Sequence, residues 1–206
     1  MAHHSPAASR DNAGHTFTLG VVPGSTPGKW VKAWKERMPT VPVVLQPISV
    51  AEQRGALERV DAALVRMPID NHGLHVIPLY HEVPVVIFAA DSHLSAADDL
   101  TAADLSDQVL ITPDDDVLGW TGPAPASFPP PQNTADAIEI AATGVGIVVT
   151  PMSLARLHHR RDVDYRPLLD GPSSQVALAW QVDRDTDLVQ TFVGIVRGRT
   201  ARSSRS

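Results

Sequence analysis

The sequence predicts an α/β protein, because short strand-like runs alternate with helix-like segments along most of its length. Phe17, Leu19 and Val21 alternate with Thr18 and Gly20, the pattern of a half-buried strand. In residues 61–65, the four residues after Asp61 form a short apolar run of the kind found in buried parallel strands. Helix-like segments separate these runs, so we expect a parallel sheet with right-handed crossovers.

The composition excludes several functional classes. The 206-residue chain has no cysteine, which rules out disulfide scaffolds, thiol catalysis and iron–sulfur clusters. Its formal net charge of −6 argues against a main role in coating nucleic acid, which depends on Lys and Arg. The longest charge-free apolar run, residues 83–90, is far shorter than the ~20 residues of a membrane-spanning helix. With no signal-peptide pattern before residue 15, we predict a cytoplasmic protein that does not associate with membranes.

The first half of the chain contains five predicted elements. They are, in order, a strand at 17–21, a helix at 30–38, a strand at 41–48, a helix with apolar positions from 50 to 60, and a strand at 61–65. In the first helix Val31, Trp34 and Met38 recur at helical spacing. Ser49 and Glu52 form a capping box that opens the second helix, the serine hydroxyl accepting a backbone N–H.

The second half continues the alternation but contains one irregular segment. The predicted elements are strands at 74–80, 83–90, 109–111, 146–149 and 175–181, a capping box at Thr101–Asp104, a helix capped by Asn133 and closed by Gly144, and a final helix with Leu188, Phe192 and Ile195. Six prolines lie in or just before residues 119–131. We therefore expect irregular backbone there, either a lid or, as we favour, an inert surface loop.

No enzymatic or metal-binding pattern is found in the sequence. Ser25 is one position away from a G-x-S-x-G nucleophile elbow. Residues 144–146 lack the third glycine of a dinucleotide fingerprint and follow a helix instead of a strand. His158 and His159 are adjacent, so they point to opposite sides of a helix and cannot share a metal ion there. We predict no catalytic residue, metal or cofactor.

Polar side chains follow several predicted strands and indicate a binding cleft. Ser25 and Thr26 follow the first strand, Ser49 follows the second, Arg66 ends the third, and Thr112 follows the strand at 109–111. In a parallel α/β sheet, ligands bind beyond the carboxyl ends of the strands. We therefore predict a small-molecule site formed by these side chains.

Several segments resemble, in order, the effector-binding domain of LysR-type transcriptional regulators. The segments that resemble it are 19–28, 35–39, 49–53, 61–66 and 73–80 in the first part of the chain, and 83–94, 100–105 and 141–151 in the second. The resemblance covers about residues 16–198. No single motif is diagnostic, but the ordered combination is specific to this family.

The resemblance implies a two-lobed type 2 periplasmic-binding-protein-like fold, with mixed sheets and helices on both faces. Lobe I would comprise residues 16–82 plus 176–198 and lobe II residues 83–175, with disordered tails at 1–15 and 199–206. An effector would lie between the lobes. By position, its contacts would be Ser25, Thr26, Ser49 and Thr112, with Arg66 as a weaker correspondence. Such domains pair side by side, which implies a homodimer.

Two features depart from the family pattern. The first strand already begins at Phe17, which leaves no room for a winged helix–turn–helix, so we expect no direct binding of this chain to nucleic acid. Asp114, Asp115 and Asp116 form an acidic loop beside the expected cleft. Because this loop would repel a bare anion, it predicts an effector that bears an amine or is zwitterionic, with Asp114 among its contacts.

Three functions remain open at this point. The first is an effector-sensing module of a LysR-type regulator. The second is a stand-alone solute-binding protein of the same fold, or a modulator that forms heterodimers with a full-length regulator. An enzyme is the third, and it would need an acid/base pair that the sequence does not show.

Overall fold

The computed structural model describes residues 14–198, which form two main sheets covered by helices and one small two-stranded sheet. The elements are β1 (Phe17–Val21), α1 (Gly28–Arg37), β2 (Val43–Pro47), α2 (Gln53–Ala56), β3 (Ala62–Arg66), β4 (Leu74–Glu82), β5 (Pro84–Ala89), β6 (Val109–Leu110), β7 (Ala124–Pro125), α3 (Thr134–Ala141), β8 (Val148–Pro151), α4 (Met152–Leu157), β9 (Val163–Pro167), β10 (Ser174–Gln181) and α5 (Asp187–Val196). Except for Gly14 and His15, the predicted tails at 1–15 and 199–206 lie outside the described residues.

The first sheet has five strands in the order β2-β1-β3-β10-β4. β1 lies between β2 and β3 and is parallel to both, which confirms the predicted parallel arrangement of the first three strands. β10 returns from the far end of the chain and is antiparallel to β3 and β4. β2 is an edge strand and leaves Val44 and Leu45 exposed.

An aromatic cluster packs between this sheet and the helices α1 and α5. Phe17, Trp34 and Phe192 are fully buried. The ring centroids of Phe17 and Trp34 lie 4.6 Å apart, and those of Phe17 and Phe192 lie 5.0 Å apart. The indole Nε1–H of Trp34 donates to the Val41 carbonyl at 2.8 Å, so the only polar atom of this side chain is also satisfied.

The second sheet has three strands in the order β8-β5-β9, and both pairings are antiparallel. Every residue of β5 is buried, in agreement with its apolar sequence. The proline-rich segment 119–131 is largely irregular, as predicted. It also packs against the core of this half through Trp120 and Phe128, and its short strand β7 pairs with β6.

Two predicted helix caps are confirmed, but one predicted helix is shorter than expected. The Asn133 side chain accepts the Asp136 backbone N–H at 2.9 Å and caps α3. The Asp104 carboxylate accepts the Thr101 backbone N–H at 2.8 Å, and it caps a short 3-10 helix. The helix predicted from 50 to 60 is wrong in length, because only the four residues of α2 are helical. Gly55 lies within it and has a low helix propensity.

Three of the helices and strands are absent from the sequence prediction, and the short strand β7 is one of them. α4 begins directly after Pro151, which we interpreted only as the end of a strand. β9 contains Asp164 and Arg166, which are weak strand formers, and it exists because it pairs with β5. Within residues 14–198, no helix is both long and apolar enough to cross a membrane.

Candidate functional site

A cavity of about 540 Å³ lies where elements of the two sheets meet. Its wall is formed by Pro23, residues 49–51, Arg66, residues 114–117, residues 132–135 and the end of α4 with His158. This volume is in the range of small-molecule sites in proteins. The cavity is therefore the candidate functional site.

Three of the six predicted site residues lie on the cavity wall: Ser49, Arg66 and Asp114. The Ser25 hydroxyl instead donates to the Val22 carbonyl at 2.7 Å and stabilises the turn after β1. Thr26 lines a separate groove beside Tyr80. Thr112 is exposed and is not on the wall of this cavity. The structure thus does not bring all six side chains together.

The turn from Ser49 to Glu52 forms one edge of the cavity; it was predicted to be the capping box of the second helix, but α2 begins only after it, at Gln53. The Ser49 hydroxyl accepts the Glu52 backbone N–H at 3.2 Å and donates to the Glu52 carboxylate at 2.8 Å. Because its proton is already engaged, Ser49 can offer a ligand only an acceptor lone pair.

Arg66 is a buried junction between the two halves of the molecule. Only 2% of its side chain is exposed, and it forms an ion pair with Glu82. Its terminal N–H groups also donate to the Ser174 hydroxyl at 2.8 Å, the Pro23 carbonyl at 3.1 Å and the Ser153 hydroxyl at 3.2 Å. All four terminal N–H groups of the guanidinium are engaged, and only the buried Nε–H has no partner among the described residues.

Gln53 fixes the backbone of Arg66. The Gln53 side-chain oxygen accepts the Arg66 N–H at 2.8 Å, and its amide donates to the Arg66 carbonyl at 2.9 Å. Gln53 is buried, and its two hydrogen bonds replace those that a neighbouring strand would make with the backbone at the end of β3. The sequence patterns did not identify Gln53, nor the Arg66 partners Glu82, Ser153 and Ser174. The only feature of the sequence that could have indicated Gln53 is its position four residues after Ser49.

The acidic loop supplies three carboxylates to the opposite wall. Asp115 accepts the Thr134 hydroxyl at 2.8 Å, and Asp116 accepts the backbone N–H groups of Leu118 and Gly119 at 3.0 and 2.9 Å. Asp114 is exposed. Within residues 14–198, none of the three forms a salt bridge. The loop therefore gives the cavity a negative wall.

A second, smaller cavity of about 320 Å³ lies behind the turn that follows β1, near Tyr80 and Ser153. Burial, and next the negative charge of Glu82, raise the pKa of Tyr80, while hydrogen bonds with Thr26 and the charge of Arg66 act in the opposite direction. Gly24 closes the turn between the two cavities with φ +79°, and a Cβ there would lie 2.5 Å from the Ser153 hydroxyl. In the part of the chain that the structure describes, no group of three or more His, Cys, Asp or Glu could hold a metal ion.

Comparison with known proteins decides the family. The family model described as the LysR substrate binding domain matches residues 10–201. The chain belongs to this family. It is a family of regulatory domains of transcriptional regulators.

Individual LysR relatives support the assignment. The Hca operon transcriptional activator HcaR of Escherichia coli K12 is 23% identical over 202 residues, which cover 90% of this chain and 68% of HcaR. The BenM effector-binding domain with its effector benzoate has a TM-score of 0.75 at 19% identity, covering 94% of this chain and 96% of that one. The reduced form of the OxyR regulatory domain from Pseudomonas aeruginosa has a TM-score of 0.67 at 18% identity, covering 91% and 97%. The predicted two-lobed type 2 periplasmic-binding-protein-like fold is confirmed.

Proposed function

We propose that this LysR substrate-binding domain senses a small-molecule effector in the 540 Å³ cavity between its two sheets. The observation that carries the proposal is that one cavity takes its wall from both halves of the molecule, which meet at Arg66. A ligand held there contacts both halves at once. It can change their relative angle if it binds one arrangement more tightly than the other.

The relatives support a small-molecule ligand at this type of domain. The BenM effector-binding domain, which shares this fold, has been solved with its effector benzoate. Of the predicted site residues, Ser49, Arg66 and Asp114 remain in the proposed site, and Ser25, Thr26 and Thr112 belong to it only if the cavity changes shape around a ligand. The lobe boundaries at residues 82/83 and 175/176, and a cytoplasmic location, remain part of the proposal.

A panel of ligands tests the proposal. We expect one member of a set of amino acids, aromatic acids and central metabolites to raise the melting temperature, because a ligand at ~100 times its Kd adds about 2.7 kcal/mol of stability. Ala135→Trp, which fills the cavity, should abolish the shift, whereas Ala103→Trp on the exposed surface should not. A shift that survives Ala135→Trp would place the ligand elsewhere, and silence across the panel would contradict the proposed function.

The second part of the proposal is that the domain pairs, either with a second copy or with a full-length regulator whose DNA-binding domains it would reposition. Val44 and Leu45 are 48% and 42% exposed on the edge strand β2, where unpaired backbone groups are also available. We expect a dimer in sedimentation velocity and a monomer for Val44→Glu/Leu45→Glu. Val182→Glu, which changes an exposed valine of a 3-10 helix, should leave the dimer intact. A wild-type monomer at all concentrations would contradict homodimerisation.

A further inference from the structure

We infer that the second cavity, of about 320 Å³, is a ligand site of its own and binds a small hydroxycarboxylate. It is separate from the proposed effector cavity, because no described residue lines both. Its volume lies near the lower end of the range for small-molecule sites. The amine-bearing or zwitterionic effector predicted from the acidic loop concerns the effector cavity and stays a prediction.

The second cavity takes its wall from both halves of the molecule. Tyr80 belongs to β4 of the first sheet, whereas Ser153 and Arg156 belong to α4, which packs against β5 and β8 of the second sheet. Residues 81–83, which lead from β4 to β5, complete the wall. A ligand bound here contacts both halves of the molecule.

Arg156 supplies the charge that selects an anion. It lies on the wall, it is exposed, and its side chain forms no hydrogen bond or ion pair with any described residue. The charge of Glu82, which also lines the cavity, is balanced by Arg66. Arg156 is thus the one described side chain of this wall with a fixed charge that is not balanced. Its guanidinium is free to bind a carboxylate through two parallel N–H donors.

Ser153 supplies a further donor next to Arg156. Its hydroxyl oxygen accepts an N–H of Arg66 at 3.2 Å, and its own proton has no acceptor among the described residues. Ser153 lies three positions before Arg156 on α4, so the two side chains share one face of the helix. A carboxylate bound by Arg156 can therefore also accept the serine proton.

Glu82 supplies an acceptor, and this acceptor indicates the hydroxyl of the ligand. One of its carboxylate oxygens binds Arg66, and the other has no partner among the described residues, although the side chain is only 7% exposed. In residues 14–198 the only fully buried side-chain N and O atoms without a partner are the Nε atoms of Arg54 and Arg66, so this Glu82 oxygen retains accessible surface. A donor that reaches it is favourable. A hydroxyl provides the donor without adding a second positive charge beside Arg66, as an ammonium would.

The other polar side chains of the wall already have partners. Tyr80 is hydrogen-bonded to Thr26. The His81 ring is engaged by the Gln175 side chain at 3.0 Å. The groups that are free to bind a ligand are therefore the guanidinium of Arg156, the hydroxyl proton of Ser153 and one oxygen of Glu82.

Apolar side chains complete the wall. Val83 and Met152 line the cavity and give the carbon skeleton of a ligand a surface to bury against, which is favourable in proportion to its area. The second cavity thus combines two donors for an anion, one acceptor and a small apolar surface. A small hydroxycarboxylate complements all three.

Matched ligands on one carbon skeleton test the inference. The hydroxy acid 2-hydroxy-3-methylbutanoate, its methyl ester, 3-methylbutanoate and valine differ only in the charge or in the substituent next to the carboxylate. Lactate, methyl lactate, propanoate and alanine form a second set with a smaller body. We expect an NMR titration to show the tightest binding for a hydroxy acid, weaker binding for the unsubstituted acid and the amino acid, and none for the ester. Equal binding of the ester, tighter binding of the amino acid, or no binding by either set overturns the inference.

Arg156→Gln isolates the anion contact, because it changes an exposed side chain that holds no other described group in place. We expect it to weaken hydroxy acid binding about tenfold, the effect of one charge-assisted hydrogen bond. Arg161→Gln, which changes an exposed arginine away from this wall, should leave binding as it is. An Arg156→Gln protein that binds the hydroxy acid as wild type does contradicts the inference.

Two cavity-filling variants locate the ligand and separate this inference from the proposed function. Val83→Trp fills the second cavity from a half-exposed position and should abolish hydroxy acid binding, whereas Ala135→Trp fills the effector cavity and should not. Binding that is lost in Ala135→Trp and kept in Val83→Trp would place the hydroxy acid in the effector cavity. That result would overturn the second site and leave the proposed function in place.

Discussion

Replacement of Arg66 by methionine is expected to lower the free energy of unfolding by about 3–5 kcal/mol, the usual effect of removing one partner from a buried ion pair. Glu82 would remain as a buried carboxylate, because its side chain is only 7% exposed. The Pro23 carbonyl and the Ser153 and Ser174 hydroxyls would lose the same donor group. Urea denaturation followed by far-UV circular dichroism measures the loss.

Two variants separate the buried charge from the general effect of a substitution. Arg66→Met/Glu82→Leu removes both charges and should recover much of the lost stability, because an apolar replacement of a buried pair is often neutral. Glu139→Gln breaks an exposed, solvent-screened pair with Arg160 and should change stability far less than Arg66→Met does. If Arg66→Met were as mild as Glu139→Gln, Arg66 would not be the junction of the two halves.

Replacement of Trp34 by alanine is expected to lower stability by a similar amount, about 3–5 kcal/mol, the range for large-to-small changes of buried aromatic residues. Trp34 is fully buried and contacts the rings of Phe17 and Phe192. The variant leaves a cavity between α1, α5 and the sheet. It also leaves the buried Val41 carbonyl without the indole donor. The measurement is the same denaturation experiment.

Trp120 provides the control for Trp34. It is only partly buried against the core of the second half. Trp120→Ala should therefore lower the free energy of unfolding clearly less than Trp34→Ala does. Trp34→Phe keeps an aromatic ring and loses the N–H, so it should fall between the two. If Trp34→Ala and Trp120→Ala were equally destabilising, the aromatic cluster would not be the main core of the first half.

Local signals in the sequence predicted most of the elements correctly. The caps at Thr101 and Asn133 form as predicted, because each involves residues three positions apart. Ser49 and Glu52 also bond to each other, but α2 begins only at Gln53, so Ser49 closes a turn before the helix and does not cap it. β1, β3 and β5 follow from alternation or from continuous apolar runs. These features depend on neighbours along the chain, which a single sequence contains in full.

The elements that the sequence patterns did not predict depend on distant partners. β9 forms against β5, which lies far earlier along the chain, although Asp164 and Arg166 disfavour a strand by themselves. α2 stops after four residues, although Leu57 and Val60 continue the apolar pattern and are buried in the turns that follow. For β9, packing overrides the local preference, whereas α2 also contains Gly55, whose low helix propensity is a local cause.

The sequence by itself determined the fold class, the family and three side chains of the cavity wall, Ser49, Arg66 and Asp114. Only the tertiary structure decided what Arg66 does. Its partner Ser174 is 108 positions away and Ser153 is 87 positions away. From the sequence, Arg66 was a polar side chain at the end of a strand and a candidate effector contact. In the structure its charge is balanced by Glu82 and its terminal donors are occupied. A sequence specifies local periodicity and caps, whereas the pairing of charges depends on which distant segments pack together.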